Sequence, residues 1–179
     1  MSAPPGGRRS AADPRSGPDR GSGPDWTPGR RLLVLGVGST LRRDDALGPA
    51  VAEALAAASL PEGVAARSVH GLVPELAVDL EEVDAVWFVD AAADPSLADA
   101  TWARVAPSAG PGVGGGHALD PAALLVWTEA WTGRAPEAWS LALPAGDFGL
   151  GEGWSERGAR SLREALDELR RRLGVDRQT

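Results

Sequence analysis

The apolar positions of this chain fall into short blocks, separated by polar or glycine- and proline-marked breaks, and the blocks alternate in kind. Leu32-Leu33-Val34-Leu35 is a continuous apolar run that ends in Gly36-Val37-Gly38, the pattern of a parallel strand buried on both faces. Residues 47–58, rich in alanine and ended by Ser59-Leu60-Pro61, read as a helix. A second strand is predicted over residues 64–69 and a second helix over 74–82. Ala85-Val86-Trp87-Phe88-Val89 is a third buried strand and runs into Asp90; residues 101–105 make a short fourth, placed at an edge. Asp120-Pro121 supplies an N-cap and a proline at the first helical position, and the helix it opens stops at Gly133. Residues 139–143 are a fifth strand. Ser155 opens the last helix, in which Leu162, Leu166, Leu169 and Leu173 form one apolar stripe.

Strands alternating with helices predict an α/β fold, a mostly parallel sheet of roughly five strands with helices on both faces. In such sheets chemistry gathers in the crevice at the carboxyl ends of the strands. The polar residues just after the first three strands are therefore the ones to weigh. Residues 1–28 break the pattern: they are rich in Pro, Gly, Ser, Arg and Asp, with almost nothing apolar before Trp26. Such composition does not offset its ordering entropy, so a disordered tail is expected there, a single domain over residues 30–174, and a short C-terminal tail over 175–179.

Composition narrows the chemistry. The chain has 179 residues, 43% of them hydrophobic, which suits one domain with a real core. Its formal net charge of −7 argues against nucleic acid as a partner and leaves room for a metal cation or a basic peptide. With no cysteine there is no disulfide, zinc thiolate or thiol nucleophile, so an enzyme must work with carboxylates, hydroxyls, imidazole or a metal. No apolar run approaches the roughly 20 residues that span a bilayer. No apolar signal core follows Arg8-Arg9, and a cytoplasmic location without membrane contact is expected.

Three positions carry candidate chemistry, and each has a plainer reading beside it. Gly36-Val37-Gly38 invites a dinucleotide site, but the third glycine of that fingerprint would fall at Leu41, and Asp44-Asp45 would repel a phosphate. The two acids either serve a site or cap the following helix. Asp90 ends a central strand and either points into the crevice or makes a turn; the nearby Asp94-Pro95 looks like turn chemistry. His117, between Gly114-Gly115-Gly116 and the helix start at Asp120, either reaches across the crevice or is an ordinary surface histidine. His70 ends the second strand, and a structural hydrogen-bonding role is slightly preferred for it. Two carboxylates and an imidazole converging from separate loops suit a divalent first-row metal with open positions. Trp127 and Trp131 read as packing, Arg42-Arg43 as a solvated loop beside the site, and the charges of the last helix as its solvent face.

Over most of residues 31–173 the chain resembles the peptidases that mature the large subunit of [NiFe] hydrogenases. The segment from Gly36 to Gly48 is similar to the family pattern Gly-x-Gly-Asn-x-Leu-x-x-Asp-Asp/Glu-Gly-x-Gly. Phe88-Val89-Asp90-Ala91 resembles its strand ending in Asp-Ala, and His117-Ala118-Leu119-Asp120-Pro121 its His-containing segment. Residues 144–169, with Gly151-Glu152-Gly153-Trp154-Ser155, resemble its closing segment. The resemblance places the family's metal ligands, which are also its catalytic residues, on Asp45, Asp90 and His117. Ser39 replaces the family's Asn and Ala46 its Gly. If that Gly needs a positive φ, alanine strains the turn; if it starts the helix, alanine is harmless, and the second is expected.

The resemblance implies a three-layer αβα sandwich and an endopeptidase acting on the large-subunit precursor, from which it removes a C-terminal extension. The nickel is then supplied by the precursor, with no organic cofactor, and either the metal or a carboxylate activates water. A non-catalytic metal-sensing or chaperone-like module that docks the same subunit is the alternative.

Overall fold

The computed structural model describes residues 23–108 and 119–175. Among them five strands form one sheet: β1 (Leu32–Val37), β2 (Val64–Val69), β3 (Ala85–Ala92), β4 (Thr101–Val105) and β5 (Glu137–Pro144). Their order is β2-β1-β3-β5-β4. β1 lies parallel to β2 and β3, β3 lies parallel to β5, and β4 closes one edge antiparallel to β5. The helices are α1 (Leu47–Ala56), α2 (Leu76–Glu81), α3 (Pro121–Thr132) and α4 (Glu156–Leu173).

The apolar runs explain the layering. Successive side chains of a strand face opposite sides, so Leu32, Val34, Trp87 and Val89 pack with α1 and α4, while Leu33, Leu35, Val86 and Phe88 pack with α2 and α3. A leucine-sized side chain withdrawn from water on either face contributes roughly 1.5–3 kcal/mol. The sheet is thus held from both sides, a three-layer αβα sandwich. On α4 the innermost line is Ser161, Ala165, Leu169 and Leu173, with Leu162 and Leu166 beside it only partly buried. The small residues let the first half of α4 lie close to β5, where the Ser161 hydroxyl donates to the carbonyl of Pro144 at 2.7 Å.

The differences from expectation are at element ends. β3 continues past Asp90 to Ala92, paired along its whole length with β5, and α1 and α2 are shorter than their patterns suggested. At the N-terminus, Pro24 is buried and Trp26 packs against the α1–α4 side of the core, donating from Nε1 to the carbonyl of Arg30. Arg172 holds the carbonyl of Pro24 at 2.8 Å. The folded domain therefore reaches back past residue 30, the start expected from composition, because one large aromatic side chain suffices to anchor a polar segment. The rest of the expected tail, residues 1–22, and residues 176–179 lie outside the described residues; Val175 still packs on the core. Among the described residues no helix is long and apolar enough to cross a membrane.

Candidate functional site

The glycine-bearing segment after β1 folds around close backbone contacts. A Cβ on Gly36 would fall 2.0 Å from the carbonyl oxygen of Gly48, and one on Gly48 2.3 Å from that of Val37. Helix α1 therefore starts pressed onto the ends of β1 and β3. Gly38 has φ +139 and sits against the carbonyl of Asp45, a position closed to other residues. The chain then makes one 3-10 turn, Arg43–Ala46, and enters α1 with Ala46 at φ −76. Alanine is at ease there, as expected for a residue that starts the helix. Neither acid caps α1, whose N-cap is Ala46 with no side-chain cap bond.

Asp45 instead lines a crevice of about 360 Å³ at the carboxyl end of the sheet, together with Gly38, His70, Phe88, Asp90 and Asp120. Its Oδ2 accepts the amide of Ser39 at 3.0 Å. Asp90 lies two residues after Phe88 and so points to the same side of the sheet, that of α2 and α3. It is a strand residue, not a turn or capping one. Asp90 is exposed through the open mouth of the crevice yet ringed by protein, and the ring decides its charge. Desolvation raises its pKa to about 6, the Ala91 amide works against this, and the negative charge of Asp45 adds to it. Two carboxylates thus share one concave site, and the Asp90 carboxyl is held above the ordinary aspartate range.

His70 comes to the same crevice from the end of β2 and is exposed. The structural role slightly preferred for it has no support among the described residues, where no hydrogen bond holds its ring. Asp120, at the crevice wall, caps α3 by accepting the amide of Ala123 at 2.7 Å. Ser140 of β5 also lines the wall. Both went unremarked as site residues in the sequence; Asp120 had only its capping signal, and Ser140 sits inside a strand pattern with none. His117 lies outside the described residues, and among the described residues no group of three His, Asp or Glu side chains is arranged to hold a metal.

Asp44 behaves unlike its neighbour. It is fully buried, and its carboxylate accepts the amides of Gly146, Asp147 and Ser155 and the hydroxyl of Ser155. Burial pushes its pKa up, but the Ser155 hydroxyl and the three amides outweigh this, so the net shift is downward. The arginines before it are exposed, as expected of a solvated loop, and are also tied down: Arg42 Nε donates to the carbonyl of Phe148, and Arg43 pairs with Asp147 at 3.1 Å. Elsewhere, Asp94 makes the expected turn by accepting the amide and hydroxyl of Ser96. Trp127 and Trp131 pack edge to face on each other, 5.6 Å apart, though both are exposed. A larger depression of about 740 Å³ opens at the amino ends of β1 and β2, where Arg67 pairs with Asp79 and Arg31, Glu81 and Glu82 also line the wall.

Neither a family model nor a curated protein matches this chain. Solved structures do. The chain is similar to the hydrogenase maturating endopeptidase HybD from E. coli, at 25% identity and a TM-score of 0.62, over 82% of this chain and 95% of that one. The [NiFe] hydrogenase maturation protease HycI from Thermococcus kodakarensis KOD1 gives a TM-score of 0.64 at 22% identity, over 81% and 93% of the two chains. The chain has the fold of the hydrogenase maturation proteases. A hydrogenase 2 maturation peptidase from Thaumarchaeota archaeon SCGC_AB-539-E09 is covered completely, at a TM-score of 0.60 and 24% identity. The match to these maturation proteases spans 81–82% of this chain.

Proposed function

We propose that this chain is a hydrogenase maturation endopeptidase, which removes the C-terminal extension of the nickel-loaded large-subunit precursor. The observation that carries the reading is the meeting of Asp45 and Asp90 in one crevice at the carboxyl end of the sheet, within the maturation-protease fold. Two oxygen donors with no thiolate anywhere in the chain suit weak, exchangeable engagement of a cation. In this reading Asp45 and Asp90, joined by His117, take hold of the nickel that the precursor carries. Gripping the substrate's own metal fixes the scissile peptide in the crevice, which supplies rate by orientation. Hydrolysis then adds water across the C–N bond, oxygen to the carbonyl carbon and a proton to the leaving nitrogen. The water is activated either by the metal or by a carboxylate of the crevice acting as base. The partner is the precursor, and the reaction belongs in the cytoplasm, where such precursors would be met before assembly.

The test is mass spectrometry of nickel-loaded precursor before and after incubation. The wild-type chain is expected to shorten it, and the Asp45→Ala and Asp90→Ala variants to leave it whole. Undiminished cleavage by either variant would sink the assignment.

A further inference from the structure

We infer that Asp44 is a positioning residue for Asp45: its carboxylate is the clasp by which the start of α4 and residues 146–155 hold the site turn in shape. The kinetic consequence rests on the peptidase reading, whereas the geometry stands apart from it.

The clasp joins two distant stretches of chain. Oδ2 of Asp44 accepts the amides of Gly146 at 2.7 Å and Asp147 at 3.0 Å and the hydroxyl of Ser155 at 2.6 Å, and Oδ1 accepts the amide of Ser155 at 2.8 Å. Every one of these donors lies more than a hundred residues further along the chain. The backbone follows the same route. The Asp44 amide donates to Asp147, the Arg43 amide donates to Gly151, and the Gly151 amide returns to Leu41, each at 3.0–3.1 Å. Arg43 itself is held at φ +30, a conformation that a side-chain-bearing residue keeps only where its surroundings impose it.

A helix cap alone does not account for this. Ser155 already caps α4, its hydroxyl accepting the amide of Gly158 at 3.0 Å. What Asp44 adds is the link from that helix start to the turn that bears Asp45. The fit leaves no slack, because a Cβ on Gly158 would fall 2.4 Å from Oδ1 of Asp44. Asp45, by contrast, accepts one amide, that of Ser39, so its place in the crevice follows from the shape of the turn. A buried acceptor of four donors has no apolar substitute, since each donor would be left unpaired.

The test cuts the clasp from both sides. Asp44→Asn keeps the size but sets an NH2 against the donors, and Ser155→Ala removes the hydroxyl. Ser161→Ala, which breaks the buried 2.7 Å bond to Pro144 outside the clasp, is the control for general loosening. The readout is the Ser39 amide resonance, recorded well below each variant's melting temperature, with Asp45→Ala as the end point. Asp44→Asn and Ser155→Ala are expected to move it toward that end point, and Ser161→Ala to leave it in place. On nickel-loaded precursor the two clasp variants are expected to lose kcat by roughly tenfold to a hundredfold, as displacement of a site group does, with KM nearly unchanged. A Ser39 amide unmoved in both folded clasp variants, or moved as far by Ser161→Ala, would overturn the inference. Should Asp44→Asn not fold, Ser155→Ala decides alone. Precursor left intact by the wild-type chain would count against the peptidase reading, and the Ser39 amide would still settle the role of Asp44.

Discussion

Gly48, the second residue of α1, rests against the carbonyl oxygen of Val89, the residue before Asp90: a Cβ on Gly48 would lie 2.4 Å from that oxygen. The same Cβ would lie 2.3 Å from the carbonyl oxygen of Val37, so one missing side chain lets the helix touch both central strands where the crevice begins. Because the opposing atoms are backbone, they yield only by shifting strand ends. Gly48→Ala is therefore expected to cost about 1–3 kcal/mol, as overpacking does, read as a lower urea midpoint at unchanged slope. A variant as stable as the wild type would mean that the strand ends give way freely.

Two residues earlier the expectation reverses. Ala46 has φ −76, so the glycine that the family carries there offers no relief of strain. Ala46→Gly is expected to lower stability by about 0.4–1 kcal/mol, because it loosens the unfolded chain without easing the folded one. A gain in melting temperature would show that the turn is strained by alanine after all.

The charge state of Asp90 gives a pH prediction. Its folded pKa, about 6, stands above the ordinary value of 3.8. An acid shifted in that direction binds its proton more tightly when folded, so its contribution to stability is complete below the unfolded value and is lost as pH rises through 6. Relative to Asp90→Asn, the wild-type chain is expected to lose stability across that interval. The carboxyl carbon resonance of Asp90 should titrate near 6, and lower in Asp45→Asn, where the neighbouring charge is gone. A midpoint near 4, the usual range for aspartate, would show the ring of protein to be better hydrated than its geometry suggests.

The parallel core was legible because its strands are buried on both faces, which writes them as unbroken apolar runs such as Leu32-Leu33-Val34-Leu35. The helix at Pro121 was legible for a local reason, since Asp120 and Gly133 cap it within a few residues of its ends. Asp45 and Asp90 could be nominated because each follows or ends a strand. Their sharing a crevice depends on β1 and β3 being neighbours, a long-range fact that no local spacing encodes. Asp44 was the least legible of all. Its four donors come from residues 146–155, and nothing near Asp44 in sequence distinguishes an acid that binds a remote helix start from one that caps the next helix. The anchoring of Trp26 was missed likewise, because composition averages over a segment and one aromatic barely moves the average.

His70 separates a structural histidine from one that meets substrate. It is exposed, lines the crevice with Asp45 and Asp90, and has no hydrogen bond among the described residues. Removing such a side chain should change stability by no more than about 0.5 kcal/mol. A chain entering a cavity of about 360 Å³ nonetheless meets its walls, and an imidazole there is one of the few polar groups able to hold a peptide carbonyl. His70→Ala is thus expected to fold as the wild type does and to cleave nickel-loaded precursor about tenfold more slowly at low precursor concentration, the loss expected of one hydrogen bond to substrate. The opposite pattern, a clear loss of melting temperature with full cleavage per folded molecule, would return His70 to a structural role. The two outcomes are separable in one preparation, by thermal unfolding and by timed mass spectrometry of the precursor.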